Sequence, residues 1–185
     1  MIHYGAATEA DLPKILALQQ ANLPKAISAA EALEQGFLTV EHDLSLLGDM
    51  NDACAHTIAK AGDDLAGYAL SMTRDFSGRI PILVPLFELI DTLSWKGRSV
   101  LDVPYILMGQ VCVAKAHRGQ GVFKGLYREM QKRMAANFEL IITEISTRNT
   151  RSIRAHQKVG FVDMHRYQAP DGENWVVVGL ETGVS

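Results

Sequence analysis

Apolar residues recur along this chain with two periods, and the change from one to the other marks out its elements. Residues 2–6 alternate as a first strand. Leu12, Ile15, Leu16 and Leu18 then form the stripe of an amphipathic helix, with Thr8 ahead of it as N-cap and Glu9 and Asp11 as acids of the first turn. Ser28-Ala29-Ala30-Glu31 reads as a capping box that opens a second helix. Residues 44–50 fit a helix or a loop. Residues 56–61 and 65–73 read as two strands of a hairpin turning at Gly62-Asp63-Asp64.

The second half of the chain is more regular. Residues 105–114 read as a strand and 121–137 as a helix, whose inward stripe is Val122, Phe123, Leu126, Tyr127, Met130 and Met134. Residues 140–146 form the next strand. Two strands joined by one helix predict a parallel, right-handed βαβ unit. A short helix over 150–159 stops at Gly160. Residues 161–167 and 175–181 pair across Pro170-Asp171-Gly172 as an antiparallel tail. The segment 74–104 departs from both periods: it is apolar, holds Pro81, Pro85 and Pro104, and predicts one helix near 85–93. It reads either as a packing element or dimer surface, or as a lid over an acceptor pocket walled by Phe76, Phe87, Trp95 and Tyr105.

Composition narrows the class. With 185 residues, 48% of them hydrophobic and 21% charged, the chain predicts one globular domain over 1–185. A net charge of −3 argues against nonspecific nucleic-acid binding. Cys54 and Cys112 lack metal-ligand spacing, and no metal site is expected. Two lone thiols and the absence of a recognisable signal peptide point to the cytoplasm. The apolar run 80–90 is too short, and too broken by Pro81, Pro85 and Glu88, to span a bilayer.

The candidate chemistry starts at the end of the strand 105–114. Arg118-Gly119-Gln120-Gly121-Val122-Phe123 joins that strand directly to a helix. Glycines at a helix start turn backbone N–H groups toward an anion. The dinucleotide fingerprint would need glycine where Lys124 stands, and a P-loop would need Gly-Lys-Ser/Thr where Gly121 is followed by Val122 and Phe123. A second motif follows one helix and one strand later: Asn149, Ser152, His156, Lys158, Gly160 and Phe161, spaced as Asn-x-x-Ser-x-x-x-His-x-Lys-x-Gly-Phe.

Together the two motifs resemble those of the GNAT superfamily of N-acetyltransferases. The resemblance covers about residues 105–161. It implies a mixed α/β fold with a mostly antiparallel sheet, a central splayed pair of parallel strands and flanking helices. It implies acetyl-CoA as co-substrate. Backbone groups of Val111, Cys112 and Val113 would pair with the pantetheine arm, and Arg118, Gly119, Gln120, Gly121, Val122 and Phe123 would hold the pyrophosphate. Asn149 would reach the pantetheine side, with Ser152 one turn on. Val113 or a neighbour would offer its N–H to the thioester oxygen.

The family often protonates the leaving thiolate with a tyrosine where this chain has His156. The histidine either takes that role or leaves it vacant. No acidic residue lies on 105–113, where some relatives keep a glutamate. Glu144 on the next strand is a candidate base or a solvated side chain, and Tyr105 a candidate proton relay. Simpler roles stand beside these: Arg118 as a surface charge, Phe123 and the Met130/Met134 pair as core, and Cys112 as a small buried residue. Lys115 replaces a common proline at a surface turn. The remaining histidines share no ligand spacing.

The expected activity is acetyl transfer from acetyl-CoA to a primary amine of a small molecule or peptide, with no nucleic-acid or membrane partner and a homodimer as one arrangement. The rivals are a non-catalytic acyl-CoA sensor, and the same fold with a longer acyl donor.

Overall fold

The computed structural model describes residues 1–23, 26 and 40–183. The expected capping box at Ser28 to Glu31 lies outside them. The strands are β1 (Ile2–Ala6), β2 (Thr57–Ala61), β3 (Asp64–Met72), β4 (Ser94–Trp95), β5 (Arg98–Ser99), β6 (Tyr105–Val113), β7 (Leu140–Ser146), β8 (Val162–Gln168) and β9 (Asn174–Glu181). The described α-helices are α1 (Leu12–Gln20), α2 (Leu44–Ala53), α3 (Val84–Ile90), α4 (Val122–Met134) and α5 (Thr150–Val159). Seven of the described strands pair in one sheet in the order β1-β2-β3-β6-β7-β9-β8, and β4 and β5 make a separate hairpin. The β6–β7 pair is parallel, while β1–β2, β2–β3, β7–β9 and β8–β9 are antiparallel. The fold is therefore the mixed, mostly antiparallel α/β class that the resemblance implied.

The chain divides into two compact units, 1–71 with 108–130 and 72–107 with 131–185. In the first, β2 and β3 turn at Gly62, which holds φ 63°. Asp11 caps the turn before α1, accepting from the Thr8 N–H at 2.9 Å and hydroxyl at 2.8 Å. Residues 44–53 are helical, capped by Asp43 Oδ1 on the Leu46 N–H at 2.8 Å. The start of α4 buries Val122 and Leu126 with Ala59 and Ala66, and Val111 and Val113 of β6 pack against them.

Gly67 permits that approach: a Cβ there would lie 2.8 Å from the Cys112 carbonyl oxygen, a backbone atom that cannot swing aside. Gly67→Ala is therefore expected to destabilise the protein by ~1–3 kcal/mol, the usual cost of overpacking. Urea unfolding would show this as a lower midpoint at unchanged slope.

The stripe of α1 differs from expectation in one place. Gln19, a polar residue, is fully buried, while Leu16 and Leu18 are half-buried. Its carboxamide is satisfied on all sides. Oε1 accepts from the His42 backbone N–H at 2.8 Å, and Nε2 donates to Gln110 Oε1 at 2.7 Å and faces His42 Nδ1 at 2.8 Å. Gln110 Oε1 also accepts from the Tyr68 hydroxyl at 2.7 Å, and its Nε2 donates to the Val40 carbonyl at 2.8 Å. Buried polar groups persist when every donor and acceptor is used in this way.

In the second unit, Tyr105, Ile106 and Leu107 lie opposite Leu140, Ile141 and Ile142. The Glu139 N–H donates to the Pro104 carbonyl at 2.7 Å just before this ladder. The segment 74–104 breaks into short pieces around α3 and the β4–β5 hairpin. Leu86, Phe87, Ile90 and Val100 bury in it, and Trp95 closes on β9 at Gly179. Helix α3 is shorter than the helix expected over 85–93. Helix α5 ends at Gly160 with φ 116°, where glycine takes the left-handed conformation at lowest cost.

Candidate active site

In the first unit the chemistry-bearing residues follow one another along the backbone. β6 ends at Val113, and the Ala114 N–H donates to the Ala66 carbonyl of β3 at 2.9 Å. A 3₁₀ turn over Lys115–His117 leads to Arg118. Gly119 and Gly121 then adopt φ 76° and φ 79°, a region that side-chain-bearing residues rarely enter. The ladder of α4 begins with the Gly125 N–H on the Gly121 carbonyl at 3.0 Å, so the N–H groups ahead of it point out of the helix start. A Cβ at either glycine would meet nothing within 4 Å, so the loop offers its backbone on an open side. N–H groups at a helix start, the helix dipole and steric room are the features that favour an anion.

The side chains of this loop brace it. Arg118 reaches back, with Nε on the Val113 carbonyl at 3.3 Å and a terminal nitrogen on Asn22 Oδ1 at 2.8 Å. Gln120 Nε2 donates to the Ala116 carbonyl at 2.9 Å. Phe123 stands edge-on to Tyr127, with ring centroids 5.1 Å apart. Cys112 is buried, and burial pushes its thiol up to about 12, with Arg118 and Tyr68 acting the other way. A thiol held neutral is a poor nucleophile.

The second unit holds the other predicted residues. Asn149 caps α5, its Oδ1 accepting from the Ser152 N–H at 3.1 Å. His156 is buried, with Nδ1 2.8 Å from the Ser152 carbonyl and 3.3 Å from Ser152 Oγ, and its ring stands edge-on to Phe161 at 5.1 Å. Burial lowers its pKa to about 4, against the opposing pull of the Ser152 carbonyl. The carbonyl can only accept, so Nδ1 carries the proton of a neutral imidazole. That works against the acid role, because a neutral imidazole gives up its N–H reluctantly.

Glu144 is half-buried on β7. Burial raises its pKa above the ordinary carboxylate value, and a hydrogen bond from the Tyr167 hydroxyl of β8 moderates the rise. Tyr105 is buried, and its hydroxyl has no hydrogen-bond partner among the described residues. Burial raises its pKa first; the Arg74 guanidinium, itself paired with Asp91, acts on it through its charge without reaching hydrogen-bond geometry.

Tyr167 was not among the sequence candidates. It lies 23 residues from Glu144 on another strand, and only the pairing of both strands with β9 brings the two together. Among the described residues, no three or more His, Cys, Asp and Glu side chains are grouped to hold a metal ion. None of the described helices is long and apolar enough to cross a membrane.

A strand ending in a glycine-bent loop at a helix start is followed, after the next strand, by a capped helix on a mixed sheet. The sequence model of the acetyltransferase (GNAT) family matches residues 17–161, and the chain belongs to that family. Solved structures with the same fold include the ribosomal-protein-S18-alanine N-acetyltransferase of Escherichia coli, at 12% identity and TM-score 0.63, covering 100% of this chain and 96% of that one. The ribosomal-protein-alanine N-acetyltransferase of Brucella melitensis is 21% identical at TM-score 0.63, with 97% and 99% covered. The Salmonella typhimurium protein yncA, solved with its cofactor acetyl-CoA, is 14% identical at TM-score 0.64, with 100% and 96% covered. No curated protein is significantly similar in sequence.

Proposed function

We propose that the protein is an acetyl-CoA-dependent N-acetyltransferase acting on a primary amine of a small molecule or peptide. The loop carries this reading: two glycines at positive φ open onto the start of α4 in a chain of the GNAT family. Backbone N–H groups from Gly119 to Phe123 bind the diphosphate, the Arg118 N–H being taken by the Lys115 carbonyl, while the β6 backbone at Val111, Cys112 and Val113 aligns the pantetheine amides. Asn149 and Ser152 serve the same arm from α5. Acetyl-CoA supplies the acyl carbon as a thioester.

Glu144 is the general base. Its carboxylate takes a proton from the substrate ammonium, which leaves the nitrogen lone pair to form the C–N bond as the C–S bond breaks. The Val113 N–H steadies the thioester oxygen as it gains charge. With His156 neutral and tied to Ser152, the departing sulfur takes its proton from the amine nitrogen that has just been acylated. Glu144 then returns its proton to water. Tyr105 and the apolar side chains of 74–104 contribute to the acceptor wall. The setting is the cytoplasm.

Titration calorimetry with acetyl-CoA and a thiol-release assay over an amine panel test the reading together. No binding at high micromolar acetyl-CoA would sink it, and binding without turnover for any amine would favour a sensor. Faster turnover with longer acyl-CoA thioesters would instead make this a longer-chain acyltransferase. Glu144→Gln is expected to lower kcat by ~10²–10⁴-fold with acetyl-CoA affinity unchanged; a variant as fast as the parent removes Glu144 from the mechanism.

A further inference from the structure

The β7–β9–β8 ladder puts two rows of side chains on one sheet face. Glu144 lies opposite Val177, which lies opposite His165; Ser146 lies opposite Trp175, which lies opposite Tyr167. Tyr167 therefore reaches diagonally across β9, and its hydroxyl donates to Glu144 Oε2 at 2.5 Å. Tyr167 is half-buried, and Val177, under the contact, is fully buried.

The surroundings leave this bond as the main polar influence on the carboxylate. From β9 the row offers only Val177 and Trp175. From β8 it offers His165, which is exposed, and Tyr167 itself. Farther along β7, the Ser146 hydroxyl is taken by Glu173, which also pairs with Arg148. In the β8–β9 turn, Asp171 acts on Tyr167, and in the same direction as Glu144. His156 of α5 is uncharged near neutral pH.

We infer that Tyr167 is a positioning residue for the general base: it holds Oε2 of Glu144, leaves Oε1 to take the proton of the acceptor ammonium, and sets the strength of the base. The inference rests on Glu144 as base. The hydroxyl remains the donor throughout, since burial and the neighbouring Glu144 charge both hold its proton in place. Each half of the pair has a distinct task. Burial raises the basicity of the carboxylate. The tyrosine hydrogen bond moderates that rise.

Tyr167→Phe keeps the ring and removes the bond. The Glu144 carboxyl, followed by carbon-13 NMR and assigned with Glu144→Gln, is expected to titrate about one pH unit higher in the variant, the order for losing one hydrogen bond to a charged group. The acid limb of the kcat/KM–pH profile should move up in step, with rate at high pH retained. An unmoved carboxyl titration overturns the coupling. A carboxyl that moves while the limb stays put overturns the catalytic role and points to another base. Failure of the parent to turn over any amine would count against the proposed activity alone, since the carboxyl titration still decides whether Tyr167 governs Glu144.

Discussion

Lowering the pH from 6.5 to about 4 is expected to remove a large share of the stability of this protein, through two histidines buried in neutral form. Burial lowers His42 and His156 each to about 4, with the Asp43 charge opposing at His42 and the Ser152 carbonyl at His156. An unfolded histidine titrates near 6.5, so between these values the unfolded chain binds more protons than the folded one. The stabilisation is complete above about 6.5 and lost as the pH falls toward 4. The two shifts correspond to roughly 3 kcal/mol each, a large share of the roughly 5–15 kcal/mol that holds a typical domain together.

Geometry supports the direction at His42 independently. The His42 backbone N–H fixes Gln19 Oε1, which turns Gln19 Nε2 toward His42 Nδ1. Protonating Nδ1 would set donor against donor, and Gln19 cannot flip without losing both the backbone bond and Gln110. Glu144 works the other way just above 4.5, because its folded carboxyl is held above the ordinary value. The slope of unfolding free energy near pH 5 should therefore lie between one and two protons, about 1.4–2.7 kcal/mol per pH unit. Denaturant titrations across pH 4–7.5 measure it. His42→Asn and His156→Asn keep a polar group at each position and should each remove about one proton from the slope. A stability that stays flat across this window refutes the buried neutral state.

Where local signals were strong, sequence and structure agree closely. The strands at 2–6 and 140–146 and the helix at 150–159 have the expected bounds, since alternation, the Asn149 cap and Gly160 act within a few residues. The glycine-bent turn into α4 was legible for the same reason: its glycines and helix start are contiguous. The short pieces of 74–104 were not, because two-residue strands such as β4 and β5 form only where tertiary packing holds them. Gln19 falls outside the apolar stripe read for α1, and partners 23 and 91 positions away make its burial tolerable. The pairing of Glu144 with Tyr167 likewise depends on two strand registers that no local pattern specifies. His156 was visible as a departure from the family motif. Its residue type suggested a proton donor, whereas burial and the Ser152 carbonyl favour a neutral ring.

Gly121→Glu is expected to lower acetyl-CoA affinity at least about a hundredfold, because it places a carboxylate at the proposed pyrophosphate site. Two effects need separating. At φ 79° any side chain strains the backbone, by ~1–2 kcal/mol. Gly121→Ala carries that strain without the charge. The site is open enough that neither side chain clashes, since a Cβ there meets nothing within 4 Å. Gly121 also stands at the start of α4, where the helix dipole favours an anion, so the new carboxylate should be well tolerated by the fold. It would then act as an internal competitor for the N–H groups that the diphosphate needs. The expected pattern is a small drop in thermal stability for both variants, a modest loss of affinity for alanine, and a loss near the limit of calorimetry for glutamate. Raising the ionic strength should narrow the gap between them, because charge repulsion is screened and strain is not. Affinity for Gly121→Glu within about threefold of Gly121→Ala, a difference of well under 1 kcal/mol, would mean that the pyrophosphate does not sit at this loop.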